Sequence, residues 1–271
     1  MCAIGESPRN PAPGVEPGGH EQSSIVPEGP MSTAELAEAP PSGSKVAPPA
    51  PQFEPLTAPP VPDISRDLYT RGCPACDHLR RIAFDFLSRW QYALSTNEKV
   101  QAEFAAGLGF CHHHAWQLES VSSPVGSSVG YLQLAERIAG VLADAARAPN
   151  GGQSVHTLLR AQRQCRVCEL LHEAERSYIE RLAMFVAEPE GQRSYDRAQG
   201  PCLSHLVLLV ETSRDAEITA DLLTKAAHRF EEVAENMRAF ALKSAPSDRG
   251  MRSDDEKDAY WRAITHIVGA K

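Results

Sequence analysis

Two stretches of the chain carry the same four metal-binding residue types in the same order. The first is Cys73-Pro74-Ala75-Cys76, followed by Cys111-His112-His113-His114. The second is Cys165-Arg166-Val167-Cys168, followed by Cys202-Leu203-Ser204-His205. Each reads C-x2-C, a spacer, then C-x2-H, and the spacers are 34 and 33 residues. Three thiolates and one imidazole complete a tetrahedral shell for zinc. One CxxC is weak evidence, but two complete and almost equally spaced sets are hard to obtain by chance. They oblige any fold of this chain to bring distant residues together twice.

The spacing explains how each pair of ligands converges. Two cysteines separated by two residues can turn both sulfurs toward one point, and Pro74 stiffens the first such turn. Gly109 and Gly200 each stand two residues before the third cysteine and break the preceding structure. Pro201 suits the first turn of a helix. If Cys111 and Cys202 open helices, His114 and His205 follow three residues on along the same face. The positive end of such a helix favours the thiolate.

The rest of the pattern from about residue 63 onward is helical. Leu79, Ile82, Phe86 and Trp90 form one apolar stripe after the first CxxC; Leu171, Ala174, Tyr178, Leu182 and Phe185 form one after the second. No convincing alternation marks a strand. Long helices are expected over about 128–147 and 216–242, with a shorter one around Val155, Leu158 and Leu159. Ser253-Asp254-Asp255-Glu256 reads as a capping box opening a final helix that carries Tyr260, Trp261, Ile264 and Val268.

Matched residues extend beyond the ligands. Gln101 and Gln192 stand ten before the third cysteine of each set, Phe104 and Tyr195 seven before it, and Leu118 and Leu209 four after the histidine. The expected architecture is therefore all-α, with an internal duplication. Residues 63–149 form a first metal-binding half and 150–243 a second. Residues 148–153 make the hinge, and 244–271 a linker with a C-terminal helix. A disordered tail over 1–62 precedes them, since 15 of the 21 prolines lie there among few large apolar residues. Met31 reads as an alternative start to Met1.

The pairing of the motifs has two solutions. Near-equal spacers favour two self-contained centres: Cys73, Cys76, Cys111 and His114 in one, Cys165, Cys168, Cys202 and His205 in the other. In that arrangement a helix of about nineteen residues runs out roughly 28 Å, and the remaining fifteen or so bring the chain back. The other solution crosses the halves. His112 and His113, unmatched in the second set, are expected to be exposed or just behind the ligands. His78 and His172 are expected at the surface and Trp116 in the core. The charged runs over 172–181 and 231–238 read as solvated helix faces.

A formal net charge of -8, about -5 of it in the tail, argues against nonspecific nucleic-acid binding and against an anionic membrane surface. No secretory leader and no apolar run near twenty residues occurs, and the metal-like use of six of seven cysteines fits a reducing compartment, the cytoplasm. No Walker A loop, GxSxG or HExxH marks an enzyme. The leading functional reading is a zinc-stabilised helical scaffold or interaction protein holding two ions, with a protein as its class of partner. Two alternatives stand beside it. One is an electron carrier with iron–sulfur clusters held by three cysteines and one histidine. The other is a thiol oxidoreductase using Cys73/Cys76 or Cys165/Cys168.

The run from Gly72 to Cys76, the run from Gly109 to His114, Cys165 to Cys168 and Gly200 to His205 together resemble an uncharacterised bacterial and archaeal family. It is a domain of unknown function with paired CPxC…GFCxxH sets. The resemblance covers roughly residues 63–242 and implies metal binding without an assigned activity. Arg166 stands where that pattern has Pro, which relaxes the turn without removing a ligand.

Overall fold

A computed structural model describes residues 60–161, 165–243 and 250–270, apart from the side chains of Leu159 and Ala161. Nearly all of the expected Pro-rich tail, residues 1–59, lies outside the described residues, as does the 244–249 part of the expected linker. All described residues belong to one compact unit, Pro51–Lys271. The described chain is all-α, and no strand occurs among the described residues.

The elements follow local chemistry. After a single turn, α1 (Ile64–Asp67), the chain enters α2 (Pro74–Thr96), with Cys73 as its N-cap and Pro74 in the first turn, where a missing N–H is harmless. Asn97 ends α2 and caps α3 (Glu98–Ala106), its side chain accepting from the N–H groups of Lys99 and Val100. Next come α4 (His112–Val121) and α5 (Pro124–Arg147), then α6 (Gly151–Ala161). α7 (Arg166–Ala187) starts at Cys165 as α2 starts at Cys73, and α8 (Pro189–Arg197) and α9 (Leu203–Thr212) follow. α10 (Ala216–Leu242) packs against α11 (Asp254–Val268), and α11 opens on the expected capping box of Ser253 and Glu256.

The core sits between α2 and α7, which run antiparallel. His78 near the start of α2 meets Tyr178 in the second half of α7, ring centres 4.9 Å apart. Trp90 near the end of α2 lies under the Arg166 guanidinium at the start of α7. Ile82, Phe86, Leu87, Trp90 and Leu94 pack with Val167, Leu170 and Ala174 in one cluster. Ala75 packs with Tyr178, Ile179, Leu182 and Val186 in a second. Both expected stripes are thus largely buried. α4 lies along α2, and α9 lies along α7.

Two side chains, Trp116 and His78, depart from expectation. Trp116 is 63% exposed, because α4 buries only His114 and Leu118. His78 is buried, not at the surface: it faces the buried Asp67, which is also paired with Arg81, and tucks against Tyr178. The apolar residues Tyr260, Trp261, Ile264 and Val268 point outward from α11; its inner face is Glu256, Ala259, Ala263, Thr265 and His266. Small residues on that face let α11 approach closely, a signal that apolar periodicity misses.

Candidate metal centres

The eight expected ligands converge into two clusters, but not within the halves. One holds Cys73, Cys76, Cys202 and His205; the other holds Cys111, His114, Cys165 and Cys168. In each, the four donor atoms lie within 4.8 Å of one another. The expectation of two self-contained halves, each closing its own centre, is therefore overturned. Each centre takes CxxC from one half and CxxH from the other.

The reason lies in the return path. α2 has 23 residues, about 34 Å at 1.5 Å per residue. α3 has nine, about 13 Å on the same rise. The link after it does not extend: Gly107 and Gly109 donate to the carbonyls of Glu103 and Phe104, and Leu108 and Gly109 take φ of 61° and 75°. Phe110 accordingly packs on Phe86 and Trp90, in the second half of α2, with ring centres 6.1 and 5.8 Å away. Cys111 is delivered to that level, not back to Cys73. Because α7 is antiparallel to α2, the level of Trp90 is where Cys165 and Cys168 wait. Before Cys202 the chain also turns at a glycine, Gly200 at φ 80°, and Cys202 reaches the start of α2.

Within each CxxH pair the backbone does the positioning. Cys111 and Cys202 are N-caps, and His114 and His205 stand at the third helical position with Nδ1 turned back toward the sulfur, 3.3 and 3.2 Å away. Pro201 precedes the cap and lies outside the helix it was expected to open. Around His205 the sulfurs of Cys73 and Cys76 lie 3.3 and 3.4 Å from Nδ1, and the Cys76 and Cys202 sulfurs are 3.8 Å apart. Around His114 the sulfurs of Cys165 and Cys168 lie at 3.5 and 3.4 Å, and those of Cys111 and Cys168 are 3.7 Å apart.

These lengths fit one tetrahedral ion. With metal–sulfur bonds near 2.3 Å and metal–nitrogen bonds near 2.0–2.1 Å, tetrahedral edges are about 3.8 Å between sulfurs and about 3.5 Å between sulfur and nitrogen. No disulfide joins these six cysteines. Both donor sets thus fit a metal ion in chemistry and in shape.

The protonation pattern suits this use. Hydrogen bonds with Cys73 and Cys76 hold the Cys202 thiol far below the ordinary thiol range. The same contacts with Cys202 and Cys76 raise Cys73. At Cys111 burial opposes ionisation, but the His114 backbone N–H and the Cys168 and Cys165 thiols outweigh it and lower the thiol. Burial and the neighbouring Cys165 charge push Cys168 up to about 12. In both clusters the cysteine of the CxxH pair is lowered and a cysteine of the CxxC pair is raised. The histidines differ. Burial opposes the charged form of His205, but hydrogen bonds with Cys202 and Cys76 raise it to about 10. Burial, with His113 beside it, lowers His114 to about 4.

One supporting residue escaped the sequence reading. Glu175 Oε1 lies 3.0 Å from His205 Nε2. A carboxylate only accepts, so Nε2 carries the proton and Nδ1 faces the sulfurs. Its signal was its place on α7, seven residues after Cys168 and so on a related face. His112, His113 and His172 are exposed and take no part in either cluster.

No family model matches the chain, and no curated protein or solved structure matches it. Among the described residues no helix is long and apolar enough to cross a membrane.

Proposed function

We propose that the protein is a helical scaffold stapled by two structural zinc ions, working in the reducing environment of the cytoplasm. The observation that carries this reading is the convergence of each donor set within 4.8 Å, with the three sulfurs 3.2–3.5 Å from the histidine nitrogen and one sulfur pair in each set 3.7–3.8 Å apart. Four protein donors around one ion leave no position for water, and closed sites of this kind are structural. Each ion would join an α2 or α7 N-terminus to the CxxH of the opposite half, so metal binding and assembly of the core are one event. Binding of structural zinc to such sites is worth on the order of 10 kcal/mol near neutral pH. The matching helices α3 and α8, nine residues each, and α4 and α9, ten each, support the reading of the halves as copies.

The geometry favours this over the alternatives. An iron–sulfur cluster places its protein ligands on separate irons, farther apart than the edge of a single tetrahedron. A dithiol catalyst needs a reachable nucleophile, whereas Cys73 and Cys165, the first cysteines of the two CxxC pairs, are buried. The test is elemental analysis with an absorption spectrum of anaerobically purified protein. Two equivalents of zinc and a colourless solution are expected. Stoichiometric iron with visible absorption, or a metal-free and fully folded protein, would refute the proposal.

A further inference from the structure

The two centres match in donors and differ in what buttresses them. The centre at His205 is buttressed: Glu175 on α7 holds Nε2 at 3.0 Å. The corresponding place on α2, seven residues after Cys76, is Ala83, which lines a groove together with His114. Among the described residues no carboxylate forms an ion pair with His114. A carboxylate behind a ligating histidine fixes the ring and raises its basicity, and its loss typically costs ten- to a hundredfold in affinity.

The C-terminal helix adds a second difference. Gly269, at the end of α11, sits so close to the first cluster that a Cβ there would lie 3.1 Å from Cys76 Sγ and 3.7 Å from Cys202 Sγ. Thr265 on the same helix packs its methyl against Gly72, next to Cys73. The knuckle backbone is also tied across the halves, Gly72 N–H donating to Gln199 Oε1 at 2.7 Å. No glycine among the described residues closes on the sulfurs of the second cluster in this way.

Burial adds a third. In the first centre Cys73, Cys202 and His205 are buried and Cys76 is half-buried; in the second His114 and Cys165 are buried and both Cys111 and Cys168 are half-buried. A groove of about 330 Å³ reaches both centres, at His114 of the second and at the half-buried Cys76 of the first, and is lined between them by Phe84, Leu87, His113 and Gln117; only at the first centre does Gly269 close over the sulfurs.

From these differences we infer that the two ions have separate roles. The ion held by Cys73, Cys76, Cys202 and His205 is a permanent staple. The ion held by Cys111, His114, Cys165 and Cys168 exchanges, leaving to a soft-donor acceptor through the groove at His114. The inference rests on the two-zinc reading and assigns regulation to one of its sites: available zinc sets whether α4 is clamped to the start of α7.

The test loads the full chain with two zinc ions and mixes it with excess chromogenic zinc chelator. Two release phases of one equivalent each are expected, separated at least tenfold in rate. Cys111→Ser removes the fast phase and keeps the slow one. Glu175→Gln, at a half-exposed position that leaves the core intact, speeds the slow phase roughly tenfold or more and leaves the fast phase unchanged. Gly269→Val, which drives a side chain at Cys76 Sγ, also speeds the slow phase. Release of both ions in one phase, or loss of the slow phase in Cys111→Ser, overturns the assignment while leaving two structural ions standing. Should Cys111→Ser not fold, Glu175→Gln decides alone, and acceleration of the fast phase overturns the assignment. Fewer than two ions in the loaded wild-type protein removes the two-zinc reading and this inference with it.

Discussion

Cys76 and Cys111 lie in the same half of the sequence and in different Cys/His clusters. Substitution can therefore distinguish crossed pairing from pairing within halves. Cys76→Ser combined with Cys202→Ser should lose one equivalent of zinc, since both remove ligands from one ion. Cys76→Ser combined with Cys111→Ser should lose both. Metal content of the purified variants reads the result, and the reverse pattern would restore self-contained halves. Protonation gives a second prediction. Cys73 is raised and Cys168 pushed up to about 12, so both carry protons at pH 7 that zinc must displace. The metal-free form then binds more protons than the loaded form, so affinity rises with pH and falls on acidification. Calorimetry of zinc binding in two buffers of different ionisation enthalpy should show net proton release at pH 7. At this scale the ligands were legible because thiol and imidazole in such spacing have few other uses. Glu175 and His78 were not. Their roles depend on which helix packs across from them, and Glu and His are ordinary residues on an exposed helix face.

Helices α2 and α7 carry the core, and their register decides which residues meet. Leu182 is fully buried between them, beside Tyr178, Ile179 and the start of α2. Leu182→Ala should cost about 2–5 kcal/mol in transfer and cavity terms, measured by chemical denaturation of the zinc-loaded protein. A change under about 1 kcal/mol, the scale of ordinary surface substitutions and below, would mean that this seam contributes little. The helices themselves were readable from apolar periodicity, from Pro74 and from the Ser253–Glu256 box, because these signals act within a few residues. Which face α11 presents was not read: the large apolar Trp261 and Ile264 are exposed, and Ala259 and Ala263 are the residues that pack. Close helix approach selects small side chains, and hydrophobic patterning gives them little weight.

For the molecule as a whole, the crossed pairing of CxxC with CxxH makes the two halves interdependent under the two-zinc reading. Residues 63–149 alone supply one CxxC and one CxxH that the fold sends to different centres. The isolated halves should not bind zinc with native stoichiometry, and co-expressed halves should copurify with two ions. A half that binds one ion tightly and folds alone would contradict the arrangement. Removal of metal from the intact chain should lower its thermal stability sharply and expose the α2–α7 seam, read by calorimetry and by hydrogen exchange of α2 and α7. The amino-acid sequence by itself pointed to the helical class, to the eight Cys and His residues that cluster and to their convergence inside each motif. Those depend on three-residue geometry, which the local backbone enforces. Tertiary structure alone decided which CxxC meets which CxxH. That choice follows from the antiparallel packing of α2 on α7 and the glycine turns before Cys111 and Cys202, and it comes from burying two distant stripes against each other at once.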